Sequence, residues 1–250
     1  MTTLERIDRR VLGAIRFLDA TTYTPLVRDL ILSSPVATFL RNRRSLYVLS
    51  AVHTLESHGN AFPAPPASPP IGSVSVELAV RDPQEMYLPR RCRLHLPRNP
   101  DPAAAGQPGS FFHAIDIPLY PAPTAKTSHN WVSLYASVMQ AGTGNPLVGA
   151  LLRVIRRHDS QILARGLTDT RGEALVAVSG IPVTTWDEGT ATVLTSEVPV
   201  TVEAIVDPHA GPVADPDDIE TRRDTLPLNA IDVTVAARRR LAIQIPVTVP

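Results

Sequence analysis

Alternation of apolar and polar residues runs through most of the chain. In Ser73–Asp82, valines and a leucine occupy every second position, and Ser75, Glu77 and Arg81 lie between them. The same period of two recurs in six further segments: Arg91–Leu96, Ile115–Leu119, Val132–Val138, Val198–Val206, Ile231–Val235 and Leu241–Val249. A period of two with one apolar face is typical of antiparallel strands that pack on one side. The pattern predicts an all-β sandwich or barrel.

Helical patterns are few and short. Residues 2–12 and Asp217–Arg223 each match one or two helical turns, which is too short to organise a fold. Three irregular stretches interrupt the strands: the Pro-rich loop Asn60–Gly72, the loop Arg98–Gly109 and the acidic segment Asp207–Glu220. Pro121–Asn130 is the predicted linker, because a new strand pattern begins directly after it.

The composition supports short strands rather than helices. The 250-residue chain contains 25 prolines but only 13 glycines, and proline fits strand edges and turns better than helix interiors. Hydrophobic residues make up 44% of the chain and charged residues 19%, which is enough apolar material for a buried core. The length allows two domains of ordinary size.

Two parts of the chain repeat each other. Pro25–Val27 has the same sequence as Pro146–Val148, at an offset of 121 residues. Further along, Asn42–Val48 lies where Asp169–Leu175 lies in the second copy. Two copies of one β-unit of about 120 residues each explain this spacing.

The second copy carries a longer motif, G-x-P-L-x-G-A-x-x-x-V, followed by T-D-x-x-G and an apolar strand. Its residues are Gly144, Pro146, Leu147, Gly149, Ala150, Val154, Thr168, Asp169, Gly172 and Leu175. This motif resembles the carboxypeptidase-regulatory-like or transthyretin-like sandwich, an Ig-like fold. The resemblance implies two antiparallel β-sandwich domains with long Pro-rich loops, at residues 1–122 and 126–250. In the first copy, Ser45 stands at or near the glycine position.

The motif predicts its own turn geometry. Gly172 follows Asp-Thr-Arg at a tight turn, where a positive φ favours glycine. The carboxylate of Asp169 is placed to cap that turn. Gly149 and Ala150 are expected where a neighbouring segment comes close.

Charge and cysteine content exclude several classes of partner. The chain has 24 basic and 24 acidic residues, so the basic excess of a nucleic-acid-binding protein is missing. The first 125 residues carry a net charge of +3 and the rest −3, which would suit head-to-tail contacts between copies. Cys92 is the single cysteine, so no internal disulfide can form, and we expect it to pack inward as a small apolar group.

The sequence also lacks the patterns of secretion and membrane insertion. Arg16 interrupts the first apolar stretch, and Glu5 and Asp8 precede it, which does not fit a signal peptide. No apolar run has the length of a membrane span. We expect a protein that binds no membrane and is cytoplasmic on synthesis, whether or not it later joins an assembled or released particle.

Two clusters in the sequence contain residue types that bind metal ions. His53, Glu56 and His58 lack the spacing of the zinc motif and are predicted to lie on a loop or strand end. The acidic residues of the Asp207–Glu220 stretch offer oxygen ligands for calcium, although their spacing fits no EF-hand. They are Asp207, Asp215, Asp217, Asp218 and Glu220. A charged surface loop is the preferred interpretation, with calcium binding as the alternative.

No catalytic motif is present. His113 and Asp116 are predicted to face opposite sides of one strand, and Ser133 and Ser137 lack the turn that exposes a nucleophile. Arg238–Arg240 is interpreted as a charged hairpin turn, with an anchor for a carboxylate or phosphate as the alternative. We therefore predict no catalytic residues, no cofactor and no metal.

A second resemblance concerns function. Asp82–Pro83, Tyr87–Arg90 and Leu96–Arg98, joined to the T-D-x-x-G sandwich, are similar to accessory proteins of phage-tail-like contractile injection systems. The resemblance implies a non-enzymatic structural or assembly protein that contacts itself or other particle subunits, as a homo-oligomer or in a complex. The alternative is a stand-alone adhesive module that binds carbohydrate or protein, for which a row of exposed aromatic residues would be expected.

Overall fold

The computed structural model is built mainly from β-strands in several sheets, which confirms the all-β class. It describes residues 11–60, 66–181, 185–186, 193–194 and 197–250. Most of the helical turn predicted at residues 2–12 lies outside these residues, as does the centre of the Pro-rich loop. Within the described part, no helix is long and apolar enough to cross a lipid bilayer.

The first half of the chain forms two sheets. Its described strands are β1 (Gly13–Asp19), β2 (Ile31–Ser33), β3 (Ala37–Arg41), β4 (Tyr47–Val52), β5 (Val74–Arg81), β6 (Arg90–Leu96) and β7 (Ile115–Leu119). One sheet has the order β3-β4-β1-β7 and the other the order β2-β5-β6. A short helix, α1 (Glu56–Asn60), follows β4.

The second half forms a further pair of sheets. Its described strands are β8 (Val132–Gln140), β9 (Leu151–Arg156), β10 (Ile162–Leu167), β11 (Glu173–Val178), β12 (Thr185–Trp186), β13 (Val193–Leu194), β14 (Glu197–Ile205), β15 (Leu228–Ala236) and β16 (Arg240–Val247). Their orders are β10-β9-β14-β15 and β11-β8-β16, and β12 pairs with β13 in a separate ribbon. The helix α2 (Pro216–Thr221) lies between β14 and β15.

One pairing departs from the antiparallel expectation. β16 runs parallel to β8, with Leu241 opposite Leu134. A period of two fixes which side chains share a face, but it carries no information about the direction of the neighbouring strand. The inward faces themselves are as predicted: alternate residues of β8, β14 and β16 meet in one apolar core, where Leu134, Val202 and Ile245 are fully buried.

The chain divides into two compact units. The first comprises Met1–Leu18, Pro25–Val80 and Cys92–Pro118, and the second comprises Asp19–Thr24, Arg81–Arg91 and Leu119–Pro250. Each sheet takes all its strands from one half of the chain. Independent folding of the predicted domains 1–122 and 126–250 stays a prediction.

Hydrogen bonds reproduce the repeat in the turn that follows the first strand of each copy. The amide of Tyr23 donates to the carbonyl of Asp19 at 2.8 Å, and the amide of Gly144 donates to that of Gln140 at 2.9 Å. Both donor and acceptor are displaced by 121 residues, the offset seen in the sequence. Tyr23 and Gly144 both have a positive φ, of 55° and 72°.

A second turn repeats at an offset of 127 residues. Ser45 has a φ of 59° and Gly172 a φ of 71°, so the expected positive φ at Gly172 is confirmed. The Asp169 carboxylate accepts the amides of Arg171 and Glu173 at 2.8 and 3.0 Å, as the predicted cap requires. In the first copy the side-chain oxygen of Asn42 accepts the equivalent amides at 2.9 Å. The first copy therefore keeps the turn with an amide in place of the carboxylate.

We predict that Gly172→Val strongly destabilises the second unit. A Cβ at Gly172 would lie 2.5 Å from the Val138 carbonyl oxygen, and the left-handed backbone disfavours a β-branched residue. The strain and the clash together should lower the free energy of unfolding by about 3 kcal/mol in urea titrations. Gly142→Ala is the matched control, since Gly142 has a φ of 85° but nothing within 4 Å of an added Cβ. Gly142→Ala should lower the free energy of unfolding by about 1 kcal/mol, and equal losses in the two variants would contradict the prediction.

A second prediction concerns the domain boundary. Tyr120 and Ala122 belong to a buried cluster with Leu151, Leu167 and Ile205, whereas the main core of the second unit lies entirely within residues 132–247. A fragment 126–250 should therefore fold, but its free energy of unfolding should lie at least about 2 kcal/mol below that of a fragment 119–250, because apolar cover is lost. Identical urea midpoints for the two fragments would rule this out.

Candidate functional site

The segment between β14 and β15 folds over the outer face of a sheet in the second unit. Asp215 begins α2, and its carboxylate accepts the amides of Asp217 and Asp218 at 3.2 and 3.3 Å. Ile219 is 1% exposed and packs in one cluster with Leu151 and Ile205. The sheet β10-β9-β14-β15 is therefore covered on both faces beside α2, which explains why the last residues of β14 are buried without alternation.

Arginines of the same segment pair with carboxylates on either side. Arg222 donates from Nε to Asp218 at 2.9 Å and also pairs with Asp207. Burial opposes ionisation of Asp207, but its hydrogen bond with Arg222 lowers the pKa of the carboxyl overall. Arg223 donates to Glu203 of β14 at 3.0 Å, and this hydrogen bond raises the pKa of Arg223.

Two arginines on the sheet complete the connection. Arg153 of β9 lies 3.3 Å from Glu203 and 3.5 Å from Glu220, and Arg165 of β10 lies 3.4 Å from Glu220. Glu203 is only 7% exposed, so its charge is balanced by Arg153 and Arg223 away from water. We call these pairs, together with those of Arg90 described below, the arginine network; it links α2 and the residues beside it to Arg90 and to residues of β9, β10 and β14.

Arg90 is the largest fully buried side chain in the described residues. Its guanidinium pairs with Asp217 and lies 3.9 Å from Asp215, while Nε donates to the Arg91 carbonyl at 3.2 Å. The guanidinium carbon is 6.0 Å from the ring centre of Tyr120. Burial raises the pKa of Tyr120 to about 12, and burial also raises the pKa of Asp215.

The acidic stretch Asp207–Glu220 is engaged by the arginine network. Each of its five carboxylates pairs with an arginine: Asp207, Asp215, Asp217, Asp218 and Glu220. Carboxylates held by guanidinium groups already have the cationic partner that calcium would supply. Across the residues that the structure describes, no group of three or more His, Cys, Asp or Glu is arranged to hold a metal ion. The stretch is an ion-paired cover of the sheet rather than a solvated loop.

The histidine cluster does not assemble. His53 and Glu56 are exposed and approach to 3.8 Å, while His58 is buried at 4% exposure. His53 directly follows β4, as the predicted strand end implies, whereas Glu56 and His58 lie in α1 rather than on a loop. The side chains of His53, Glu56 and His58 therefore do not converge as zinc ligands would.

The other candidate residues also lie apart. His113 lies in the turn before β7 rather than on the strand, so the prediction of a shared strand is wrong, and Asp116 forms a two-point ion pair with Arg16 at 2.6 and 2.7 Å. The Ser133 hydroxyl is buried and shares a hydrogen bond of 2.8 Å with Thr127, and Ser137 is half-buried on β8. Cys92 is buried and faces inward, which confirms its predicted packing.

The arginine run Arg238–Arg240 joins two sheets. Because β15 and β16 belong to different sheets, the predicted hairpin turn is wrong and the run is a crossover between the layers. Arg238 has a φ of 65° at the turn. Arg239 lies 3.3 Å from Glu197, so a carboxylate of the same chain occupies the proposed anchor.

The loops of the second unit enclose a cleft of about 370 Å³. Its polar lining is engaged in holding those loops: Asp82 accepts the amides of Gln84 and Met86 at 3.0 and 3.1 Å, and the Thr168 hydroxyl donates to Leu147 at 2.7 Å. Gly149 closes one side, where an added Cβ would lie 2.8 Å from Ala214, as the predicted close approach implies.

Sequence reasoning missed the two buried charges at the centre of the network. The signal for Arg90 was the alternation of β6, because Arg90 has the parity of Cys92 and Leu94 and therefore faces inward. Glu203 shares the outward parity of β14 with Ile205, which is an apolar residue on a face expected to be polar. An apolar outward residue indicates a covered face, but it does not indicate which segment covers it.

Comparisons with known proteins identify no family. No protein-family model matches the chain, and no curated protein matches it. Among solved structures, the Bacillus anthracis TIE protein aligns over 95% of this chain and 34% of its own at 9% identity and a TM-score of 0.28. BcpA, the major pilin subunit of Bacillus cereus, aligns over 96% of this chain and 60% of its own at 8% identity and a TM-score of 0.27. The shaft pilin SpaA from Lactobacillus rhamnosus GG aligns over 96% of this chain and 98% of its own at 14% identity and a TM-score of 0.24.

We predict a loss of stability above pH 10 that depends on Tyr120. The folded state holds the pKa of Tyr120 near 12, against about 10 for an unfolded tyrosine, so the unfolded state loses its proton first. The contribution of this group to the free energy of unfolding is therefore fully present below pH 10. It falls by about 2 kcal/mol as the pH rises towards 12. Urea titrations at pH 8 and pH 11.5 should show a smaller fall for Tyr120→Phe than for the unaltered protein. Parallel pH curves would contradict the assignment.

Proposed function

We propose that this chain is a non-enzymatic structural or assembly protein that acts through protein–protein contacts. The observation that carries the proposal is the distribution of exposed large apolar side chains. Six of them lie in the first unit: Val11, Val27, Ile31, Leu40, Ile71 and Phe112. In the described part of the second unit only Tyr23 and Leu228 are of this kind. Exposed apolar side chains on one unit offer area that association with another protein surface would bury.

The polar groups support the same proposal. Side chains that enzymes use for acid–base or nucleophilic chemistry here hold turns and covering segments in place. Asp169 caps a turn, Ser133 bonds Thr127, and Glu203 balances two arginines. A protein whose buried polar chemistry maintains its shape is suited to present fixed surfaces.

We extend the proposal to a subunit of a phage-tail-like contractile injection particle. The support is the resemblance carried by Asp82–Pro83 and Tyr87–Arg90, and the structure gives these residues definite tasks. Asp82 closes a turn, the Tyr87 hydroxyl donates to Asp19 at 2.6 Å, and Arg90 anchors α2. These residues thus stabilise the second unit.

We predict that the purified protein associates with itself or with particle proteins. Light scattering across a concentration series should give a mass that rises above the 27.0 kDa of one chain, because exposed apolar area is removed from water on association. The same measurement with sheath, tube and baseplate proteins tests the particle assignment. A strict monomer that binds none of these but retains a glycan would instead support an adhesive module.

A further inference from the structure

The strand β16 is an edge of one sheet in the second unit. Within the described part of the chain it pairs with β8 alone, over Arg240–Val247. Arg240 is its single charged residue, and its one proline, Pro246, stands near the end of the strand. Sheet edges are commonly protected by charges, bulges or a covering segment, and an uncharged edge can accept a further strand.

The hydrogen bonds to β8 show which residues of β16 face the open side. The Ser133 amide donates to the carbonyl of Arg239 at 3.0 Å, and the Ala141 amide donates to that of Val247 at 2.9 Å. In a strand, alternate residues direct both the amide and the carbonyl to the same neighbour. The odd-numbered residues of β16 therefore bond to β8, and the even-numbered residues turn their backbone groups outwards.

Three residues offer these outward groups: Arg240, Ala242 and Gln244. All three are exposed, and no other described strand pairs with them. Pro246 has the same orientation, but it lacks an amide hydrogen, and its carbonyl accepts the side-chain amide of Asn229 at 2.6 Å. The open edge therefore ends at Pro246.

The core is incompletely covered beside this edge. Leu241 and Ile243 of β16 pack against the core but are only partly buried, whereas Ile245 is fully buried. β15, an edge strand of the other sheet, contacts β16, and its Ile231 and Val233 are partly buried as well. A strand added to β16 would remove more of this apolar surface from water.

One register of two antiparallel copies of β16 satisfies every open group. With a two-fold axis at Ala242, that residue lies opposite itself and Arg240 lies opposite Gln244 of the second copy. Each such pair exchanges two hydrogen bonds, about six in total. An axis one residue later would place Arg240 opposite Pro246, and an axis one residue earlier would leave Gln244 beyond the end of the partner strand.

The same register matches the side chains. On the inner face, Leu241 lies opposite Ile243 of the second copy, so the partly buried residues cover each other. On the outer face, Arg240 lies opposite the neutral Gln244, and the two Arg240 residues are separated by about 13 Å along the strands. Neither face brings like charges together.

The strand β15 is less suited to pair with its own copy. The Val206 amide donates to Pro227 at 2.9 Å, so the even-numbered residues of β15 face outwards. The side chain of Asn229 already accepts the outward amide of Ala230 at 2.8 Å. Asp232 lies in the middle of the strand, where a two-fold axis would bring two carboxylates together.

We propose that two copies of the chain associate by antiparallel pairing of β16 with β16 about a two-fold axis at Ala242. The sheets β11-β8-β16 of the two copies then form one continuous sheet. The proposal rests on the self-association proposed above and assigns a surface to it. The contact is isologous and closes at two copies, unlike the head-to-tail contact that the charge asymmetry would suit. Two short strands bury little area, so the association is weak and depends on concentration.

A charge placed on the axis tests the contact. Sedimentation equilibrium of the full chain would compare the unaltered protein with Ala242→Glu and Ala242→Lys, after circular dichroism has shown that each variant is folded. Each variant alone should associate at least about 5-fold more weakly, because like charges then face each other about 5 Å apart. An equimolar mixture should recover association, since glutamate then meets lysine. Ala230→Glu and Ala230→Lys are the matched controls at an exposed alanine of β15 and should associate as the unaltered protein does.

Hydrogen exchange gives a second readout at single residues. At a concentration that favours association, the amides of Ala242 and Gln244 should exchange more slowly than in the dilute protein. The amides of Leu241 and Ile243 bond to β8 within one copy, so their exchange should change less. Equal changes at odd-numbered and even-numbered residues would contradict pairing at this edge.

Three results would overturn the proposal. Unchanged association in Ala242→Glu and Ala242→Lys would place the self-contact elsewhere and leave the proposed function intact. A mixture that stays dissociated would show that the two altered positions do not meet. An unaltered protein that remains monomeric at every concentration would overturn self-association and the β16 contact together; binding to particle proteins in the light-scattering test would then still support an assembly function.

Discussion

The second unit depends on covering the outer face of one sheet. Leu151, Leu167 and Ile205 point away from the main core, and exposure to water would cost each of them about 2 kcal/mol. α2 supplies the cover through Ile219, but its own sequence is acidic. Its carboxylates can approach the sheet only with cations between them, and the arginine network provides these. The ion pairs are therefore a consequence of hydrophobic cover, and they orient the segment that the apolar contact holds.

Much of the fold could be predicted because local rules decide it. Alternation alone assigned the inward faces of β5, β6 and β8, and the Asp169–Gly172 pattern gave both the positive φ and the cap. What sequence could not give depends on distant partners. The parallel direction of β16 is set by its neighbour, and the buried position of Arg90 is tolerable only because α2 brings two carboxylates to it from more than 120 residues away. Alternation in the sequence shows which side chains share a face of a strand, but it does not show which distant segment packs against that face.

The two copies show which parts of a repeat are fixed and which are free to change. The turns after β1 and β3 match those after β8 and β10 bond for bond, since each is closed by a cap or a left-handed residue within four positions. The two copies differ in the connection between their second and third strands, and in whether those two strands pair with each other. β9 and β10 are joined by 157–161, where Ser160 has a φ of 57° and the Arg156 amide donates to Gln161 at 2.8 Å. β2 and β3 are joined by the three residues 34–36.

Pro35, within the 34–36 connection, gives that difference a physical cause. Proline fixes φ near −65° and has no amide hydrogen, so Pro35 itself can neither adopt the left-handed conformation of Ser160 nor donate a hydrogen bond within the short connection. The chain continues instead into the opposite sheet, where β3 pairs with β4.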